Sequence, residues 1–267
     1  MSAVIVVQAR MGSSRLPGKV LARAGGHVLL ALMLDRLAAA RLAPVVVATS
    51  ERGADDAVVA AMAGRPERVV RGSEPDVLDR VLQAAAATHA EHVIRLTADC
   101  PLIDPRVIGD VYDTHLAVGA DYTSNTLLRT FPDGLDVEVV RRSALAEAAA
   151  EATAPVEREH VTPFIVRRPG RYRLAAHVGP LDAEDERWTI DEPADLHWLD
   201  ELLTRRPELA DAGWMEILDV IGRARDPEAG EAVLRVDRTG RGARPADARV
   251  LGSAPAPPPL PPRPRTW

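Results

Sequence analysis

The chain has 267 residues, a formal net charge of −6 and a single cysteine, Cys100. Its length is enough to bury a full core. The acidic balance argues against general nucleic-acid affinity, although a local basic pocket can still hold a small polyanion. Cys100 alone excludes an intramolecular disulfide framework, no apolar run approaches the roughly 18 residues that span a bilayer, and no basic segment leads a signal-like apolar stretch. A soluble, cytoplasmic protein with a small-molecule partner, no nucleic acid and no membrane is expected.

Strand-like apolar runs alternate with helix-like segments through the first half. Ala3 to Val7 reads as a buried strand, His27 to Ala40 as a helix, Pro44 to Thr49 as a strand and Ala54 to Ala63 as a helix. Arg68 to Arg71, Pro75 to Thr88, His92 to Leu96 and Pro105 to Ala117 continue the alternation. Strands separated by helices of this length predict βαβ units, hence an α/β body with a mostly parallel sheet and helices on both faces. Ligands of such sheets collect beyond the carboxyl ends of the strands, so the residues just after each strand are the site candidates.

Beyond Gly119 the pattern is less regular. Asp121 to Asn125 is strand-like, Phe131-Pro132-Asp133-Gly134 is a turn, and Leu135 to Val139 alternates as a strand with one acidic face. Helices are predicted at Ser143 to Glu151 and Val156 to Ile165, with strands near Arg171 to His177 and Arg187 to Ile190, together a small substrate-covering insertion in the same sheet. A helix from Glu192-Pro193 to Leu203 and another at Trp214 to Arg225 close a domain of residues 1–225. Residues 226–267 are rich in Arg, Gly, Ala and Pro, and are expected to be a disordered tail with polyproline II character.

The most informative segment follows the first strand: Gln8-Ala9-Arg10-Met11-Gly12-Ser13-Ser14-Arg15-Leu16-Pro17-Gly18-Lys19. Lys19 is the sole lysine, and the other 32 basic residues are arginine. A chain that uses arginine everywhere else places a compact ammonium here, where a point charge suits the task better than a planar fork. Gly12 and Gly18 permit close backbone approach, Pro17 fixes the turn, and Arg10 and Arg15 can each grip phosphate oxygens. A strand that empties into such a loop is a phosphate-binding arrangement. It matches neither the Walker pattern nor Gly-x-Gly-x-x-Gly.

Asp99, in Arg95-Leu96-Thr97-Ala98-Asp99-Cys100-Pro101, lies directly after a strand. It is placed either to bind a hard cation or to cap a helix, although Asp104 before Pro105 is the better cap. Cys100 reads as a packed thiol. Asp136 and Glu138 share a face of their predicted strand and are candidates to accept hydrogen bonds from hydroxyl groups or an amine of a ligand, with the alternative of a solvated strand face. Glu159 and His160 are further substrate candidates, His160 being either an orienting group or a structural histidine.

The run Arg10-x-x-Ser13-Ser14-Arg15-Leu16-Pro17-Gly18-Lys19 resembles the signature loop of the cytidylyltransferases that activate sugar acids, including the CMP-KDO and acylneuraminate synthetases. Gln8-Ala9-Arg10-Met11, Arg71-Gly72-Ser73-Glu74 and Glu159-His160-Val161-Thr162-Pro163 resemble most closely the branch typified by spore-coat polysaccharide biosynthesis protein F. The resemblance spans Ala3 to Leu203 and excludes the tail. It implies a Rossmann-like fold of the nucleotide-diphospho-sugar transferase type and transfer of CMP from CTP to a sugar or sugar-acid hydroxyl, with pyrophosphate released and Mg²⁺ as cofactor.

The resemblance also implies site roles. Arg10, Arg15 and Lys19 would neutralise the pyrophosphate, Ala9, Gly12, Ser13 and Ser14 would line the nucleotide, and Arg71, Ser73 and Arg80 would lie near base and ribose. Ser73 with Pro75 also makes an ordinary helix start. Asp99 falls on the family's metal-binding aspartate, with Cys100 where the family has glutamate. Asp191, in Trp188-Thr189-Ile190-Asp191-Glu192-Pro193, falls on the second, although it is equally placed to cap a helix. Dimers are common among the related synthetases, which makes a homodimer the corresponding expectation. The alternative is a glycosyltransferase of similar fold, against which Asp99 lacks an Asp-x-Asp partner.

Overall fold

A computed structural model describes residues 2–225 and 248–251. The first strand, β1 (Ala3–Gln8), leads through the glycine- and arginine-rich loop into a 3-10 turn (Lys19–Leu21), a two-strand ribbon of β2 (Arg23–Ala24) and β3 (His27–Val28), and helix α1 (Leu29–Ala40). There follow β4 (Val45–Ser50), α2 (Asp56–Ala61), β5 (Arg68–Gly72), α3 (Val77–Ala86), β6 (His92–Thr97) and α4 (Pro105–Val118). The second half holds β7 (Tyr122–Ser124), β8 (Glu138–Arg141), α5 (Arg142–Glu151), α6 (Pro155–His160), α7 (Pro163–Val166), β9 (Leu174–His177), α8 (Pro193–Arg205), α9 (Trp214–Arg225) and β10 (Ala248–Leu251).

One sheet carries eight of these strands in the order β10-β9-β7-β8-β6-β1-β4-β5, and only β8 and β10 run against the rest. From β1 the chain steps outward to β4 and β5, then crosses back so that β6 pairs with the other edge of β1. That reversal opens a crevice at the carboxyl ends of β1 and β6, where the loop and Asp99 begin. Because both faces are covered, the central strands are continuous apolar runs. Ile5 and Val7 pack with α1 and α4 through Leu30, Leu34 and Ile108, while Val4 and Val6 pack with α3 and α5 through Leu78, Val81 and Leu145.

Several elements differ from the sequence expectation. Gly25 and Gly26, both at positive φ, form a hairpin turn that pairs His27–Val28 with Arg23–Ala24, so α1 starts at Leu29. The helix expected from Val156 to Ile165 breaks at Val161 (φ 73°), and Pro163, which has no N–H to continue it, starts α7. The strand expected from Leu135 begins only at Glu138. The preceding backbone is held by Asn125, which donates to the Leu135 carbonyl (2.7 Å) and accepts from the Val137 N–H (2.9 Å). Residues Arg187 to Ile190 are no strand, but meet Asp133 in an isolated parallel bridge. Within the predicted tail, Ala248–Leu251 pairs with β9 as an edge strand; the remaining residues of that tail lie outside the described residues.

Two buried charges fix the crevice. Arg36 of α1, 4% exposed, donates to the carbonyls of Ile103 (2.9 Å), Ala210 (2.6 Å) and Ala212 (2.8 Å), tying the segment after β6 to the chain before α9. Asp55 accepts from the Met11 N–H (2.6 Å) and the Ser50 N–H (3.1 Å), clamping the phosphate-loop candidate to the end of β4. Burial disfavours the Asp55 charge, but the donors from Met11 and Ser50 outweigh it and hold the carboxyl below its ordinary range. Asp55→Ala strands these N–H groups and should cost about 1 to 3 kcal/mol in denaturant unfolding. An unchanged midpoint would show that the clamp carries no stability.

Beneath α4, His92 Nδ1 lies 3.0 Å from His115 Nε2, and His115 Nδ1 lies 2.9 Å from Thr123 Oγ1. Burial, with His92 and Arg141 adding repulsion, lowers His115 to about 3, so it is neutral in the folded protein. The unfolded chain protonates this group near 6.5 and the folded chain only near 3. Its stabilising contribution is therefore complete above 6.5 and falls with pH. It should lose about 2 kcal/mol from pH 6.5 to 5, and His115→Gln should flatten that part of the pH–stability profile. Superimposable profiles for the two proteins would contradict this.

Candidate active site

The loop after β1 is built on its own backbone. The N–H groups of Ser13 and Gly18 both donate to the Met11 carbonyl (3.0 and 2.9 Å), Ser13 Oγ accepts from Leu16 N–H (3.3 Å), and Gly18 at φ 73° turns the chain into Lys19. A side chain other than glycine is strained at that angle. The loop thus delivers Lys19 into the crevice.

There the Lys19 ammonium donates to Asp99 Oδ2 and to Asp191 Oδ1, each at 2.8 Å. Burial pulls the Lys19 pKa down, but the two carboxylates outweigh it and hold the ammonium above its ordinary value. Asp191 Oδ2 faces Arg15 (3.1 Å) and Arg187 (3.3 Å), and Arg187 in turn holds Asp195 (2.5 Å). Burial raises Asp191, and Lys19, Arg15 and Arg187 more than reverse this. The Ile190 N–H donates to the Asp99 carbonyl (2.8 Å), which locks the two aspartate-bearing segments side by side across 90 residues of chain.

The helix-capping alternatives fall to other residues. Asp104 caps α4 through the Arg106 N–H (2.8 Å) and also accepts from the Trp214 N–H (2.8 Å). Glu192 and Asp195 form a capping box at the start of α8. Asp99 and Asp191 are left facing the same cation. Cys100 is buried, and burial together with Asp99, Asp136 and Asp133 raises its thiol well above the ordinary range, which makes it unreactive.

A cavity of about 330 Å³ opens beside this cluster. Ala9, Arg10, Gly12, Ser13, Ser14, Arg15 and Lys19 line one side, and Arg80, Asp99, Glu159 and His160 complete the part nominated from sequence. Arg80 is 1% exposed and donates to the Ser73 carbonyl (2.5 Å); burial lowers its pKa, and the nearby Arg10 and Arg95 add to the effect. Concentrated guanidinium charge of this kind calls for an anion.

Other nominated residues stand outside the cavity wall. Arg71 donates to the Ser50 carbonyl (2.9 Å) and Asp56 (2.6 Å), and Ser73 Oγ accepts from the Asp76 N–H (3.2 Å). Asp136 is held at both oxygens by Arg129 (2.7 and 3.0 Å). Glu138 accepts from Tyr122 Oη (2.7 Å) and Thr162 Oγ1 (2.6 Å) and pairs with Arg95, so it joins β6, β7 and α7 instead of facing the cavity. The apolar residues Leu199, Leu203, Trp214 and Ile217 of α8 and α9 are buried in the chain's own core.

Gln8, Val20, Val77, Arg95, Thr97 and Ala98 also line the cavity and are not among the sequence candidates. Arg95 carries a visible signal, a charge among the apolar residues Val93, Ile94 and Leu96 of its strand. Among the described residues no group of three His, Cys, Asp or Glu could hold a metal, and no helix is long and apolar enough to cross a membrane.

Residues 4–213 match the family model described as cytidylyltransferase. The chain is 33% identical over 231 residues to spore coat polysaccharide biosynthesis protein SpsF of Bacillus subtilis, covering 84% of this chain and 95% of that protein. It is 27% identical over 190 residues to 3-deoxy-manno-octulosonate cytidylyltransferase of Xanthobacter autotrophicus, covering 65% of this chain and 74% of that protein. The structure of a cytidylyltransferase from Leptospira borgpetersenii superimposes with a TM-score of 0.80 at 30% identity, over 88% of this chain and 99% of that one. With a mostly parallel sheet, an arginine-lined cavity at its switch point and these matches, the chain belongs to the cytidylyltransferase family, whose members are nucleotidyltransferases.

Proposed function

We propose that the protein transfers CMP from CTP to a hydroxyl of a sugar or sugar acid and releases pyrophosphate, for surface polysaccharide or glycoconjugate synthesis. The observation that carries this reading is the convergence of Arg10, Arg15 and Lys19 on one cavity with Asp99 beside them. The acceptor oxygen attacks the α-phosphorus and loses its proton to water, a new P–O bond forms as the bond to pyrophosphate breaks, and pyrophosphate departs with the bonding electron pair. Such a transfer is accelerated by positioning and charge neutralisation more than by covalent chemistry. Arg10 and Arg15 supply forked donors for phosphate oxygens, and Lys19 supplies a point charge.

A divalent metal fits the same cluster. Asp99 and Asp191 already place one oxygen each at 2.8 Å from a single cationic nitrogen, so hard donors converge on one point. Mg²⁺ is commonly held by one or two carboxylates together with substrate phosphates, and a bound Mg²⁺ would neutralise triphosphate charge there. CTP as the preferred nucleotide and Mg²⁺ as the metal are the finer parts of this proposal, as is a cytoplasmic setting. CTP is supported by the resemblance of the loop and by the names of the relatives, and Mg²⁺ by that resemblance and the paired aspartates.

Lys19→Ala should lower turnover by about 10² to 10³, the usual loss for one preorganised stabiliser of transition-state charge. Pyrophosphate release from CTP with a panel of sugar acids and neutral sugars measures it. Near-normal turnover in the variant would sink the assignment of Lys19. Release of a nucleoside diphosphate from a nucleoside diphosphate sugar, with no pyrophosphate from any triphosphate, would make the protein a glycosyltransferase.

A further inference from the structure

The most heavily compensated point of the molecule is the pair of carboxylates proposed to share a metal. Asp191 has no oxygen left over: Oδ1 takes Lys19 at 2.8 Å, and Oδ2 takes Arg15 at 3.1 Å and Arg187 at 3.3 Å. Asp99 gives Oδ2 to Lys19 at 2.8 Å and keeps only a weak thiol contact from Cys100 at Oδ1 (3.7 Å). A divalent cation shared by both residues must enter the space that the ammonium fills. It would also meet the repulsion of a unit positive charge if Lys19 stayed. The ammonium belongs to both environments, since Lys19 lines the anion-binding cavity as well as bridging the aspartates, and its side chain is only 11% exposed.

We infer that Lys19 is an internal competitor of the metal: it keeps Asp99 and Asp191 closed to free divalent cation until a polyphosphate takes over its charge. On the nucleotidyltransferase reading, on which this proposal rests, triphosphate oxygens in the cavity draw Lys19 and Arg15 toward themselves and release the two carboxylates. Metal and nucleotide then bind with strong mutual dependence, each raising the affinity for the other. The sole lysine of the chain acquires a second reason to be an ammonium. An ammonium on a flexible stem can turn its donors from one anionic partner to another, whereas a planar guanidinium must reorient its whole fork.

The test uses Mn²⁺ alone, without nucleotide, followed by its paramagnetic resonance signal and by calorimetry. Wild-type protein should bind it weakly, and Lys19→Met should bind it about ten to a hundred times more tightly, within the usual range of coupling between sites. Adding Asp99→Asn to Lys19→Met should abolish the gain. In melting experiments Lys19→Met, in which Asp99 loses its cation and Asp191 keeps only Arg15 and Arg187, should be less stable than wild type without metal and be raised more by Mn²⁺. If Lys19→Met does not fold, Lys19→Gln serves with the same expectations. Binding of Mn²⁺ by the variant no tighter than by wild type would overturn the proposal, as would tight nucleotide-free binding by the wild type. Both outcomes are independent of the proposed reaction, which fails separately if no triphosphate yields pyrophosphate.

Discussion

An ammonium held between two aspartates, 80 and 172 residues away in sequence, is the contact around which this molecule is arranged. Each of its three members arrives from a different part of the sheet. Lys19 ends the loop after β1, Asp99 follows β6, and Asp191 precedes α8 after the Asp133–Arg187 bridge has brought that segment across. Gathering two carboxylates in a half-buried space is costly unless cations offset them. Lys19, Arg15 and Arg187 supply those cations, and the topological reversal between β1 and β6 supplies the space. The site is therefore a property of the fold as a whole, and the loop sequence is one of its parts.

The polar connections that hold this arrangement are more numerous than a list of catalytic candidates conveys. Arg36 joins the segment after β6 to the chain before α9, and Asp55 fastens the loop to β4. Glu138 gathers Arg95, Tyr122 and Thr162, so that the α6–α7 segment bearing Glu159 and His160 is fixed relative to the strand that bears Arg95. A carboxylate with three partners in the interior is a positioning group. The acidic segment 133–138 supports the edge of the site through Arg129 and Arg95, and Gly134 (φ 120°) lets its backbone lie against Trp188 and Thr189.

Much of this was legible in the sequence, for identifiable reasons. Parallel strands buried on both faces are near-continuous apolar runs, which made β1 and β4 readable and β6 readable despite Arg95, and Asp104 before Pro105 announced α4. The loop from Arg10 to Lys19 was readable because its chemistry is local. Illegible were features whose partners lie far along the chain: the Asp55 clamp spans 44 residues, and Arg36 reaches carbonyls 67 to 176 residues away. Period-two alternation at Leu135–Val139 suggested a strand, but Asn125 supplied competing hydrogen bonds that no local pattern encodes. Val161 interrupted a helix that periodicity alone would have continued.

The crevice at β1 and β6 is proposed as a triphosphate site that selects CTP and shares a divalent metal with it. Thermal melting of wild type and Asp99→Asn with CTP, UTP, GTP and ATP, each with Mg²⁺, decides this, because a ligand that binds only the folded state stabilises it by RT ln(1 + [L]/Kd), so at equal concentration the tighter ligand gives the larger shift. Stabilisation by CTP above the other three, weakened in Asp99→Asn, is the predicted result. A melting temperature unmoved by every triphosphate but raised by a nucleoside diphosphate sugar would contradict it.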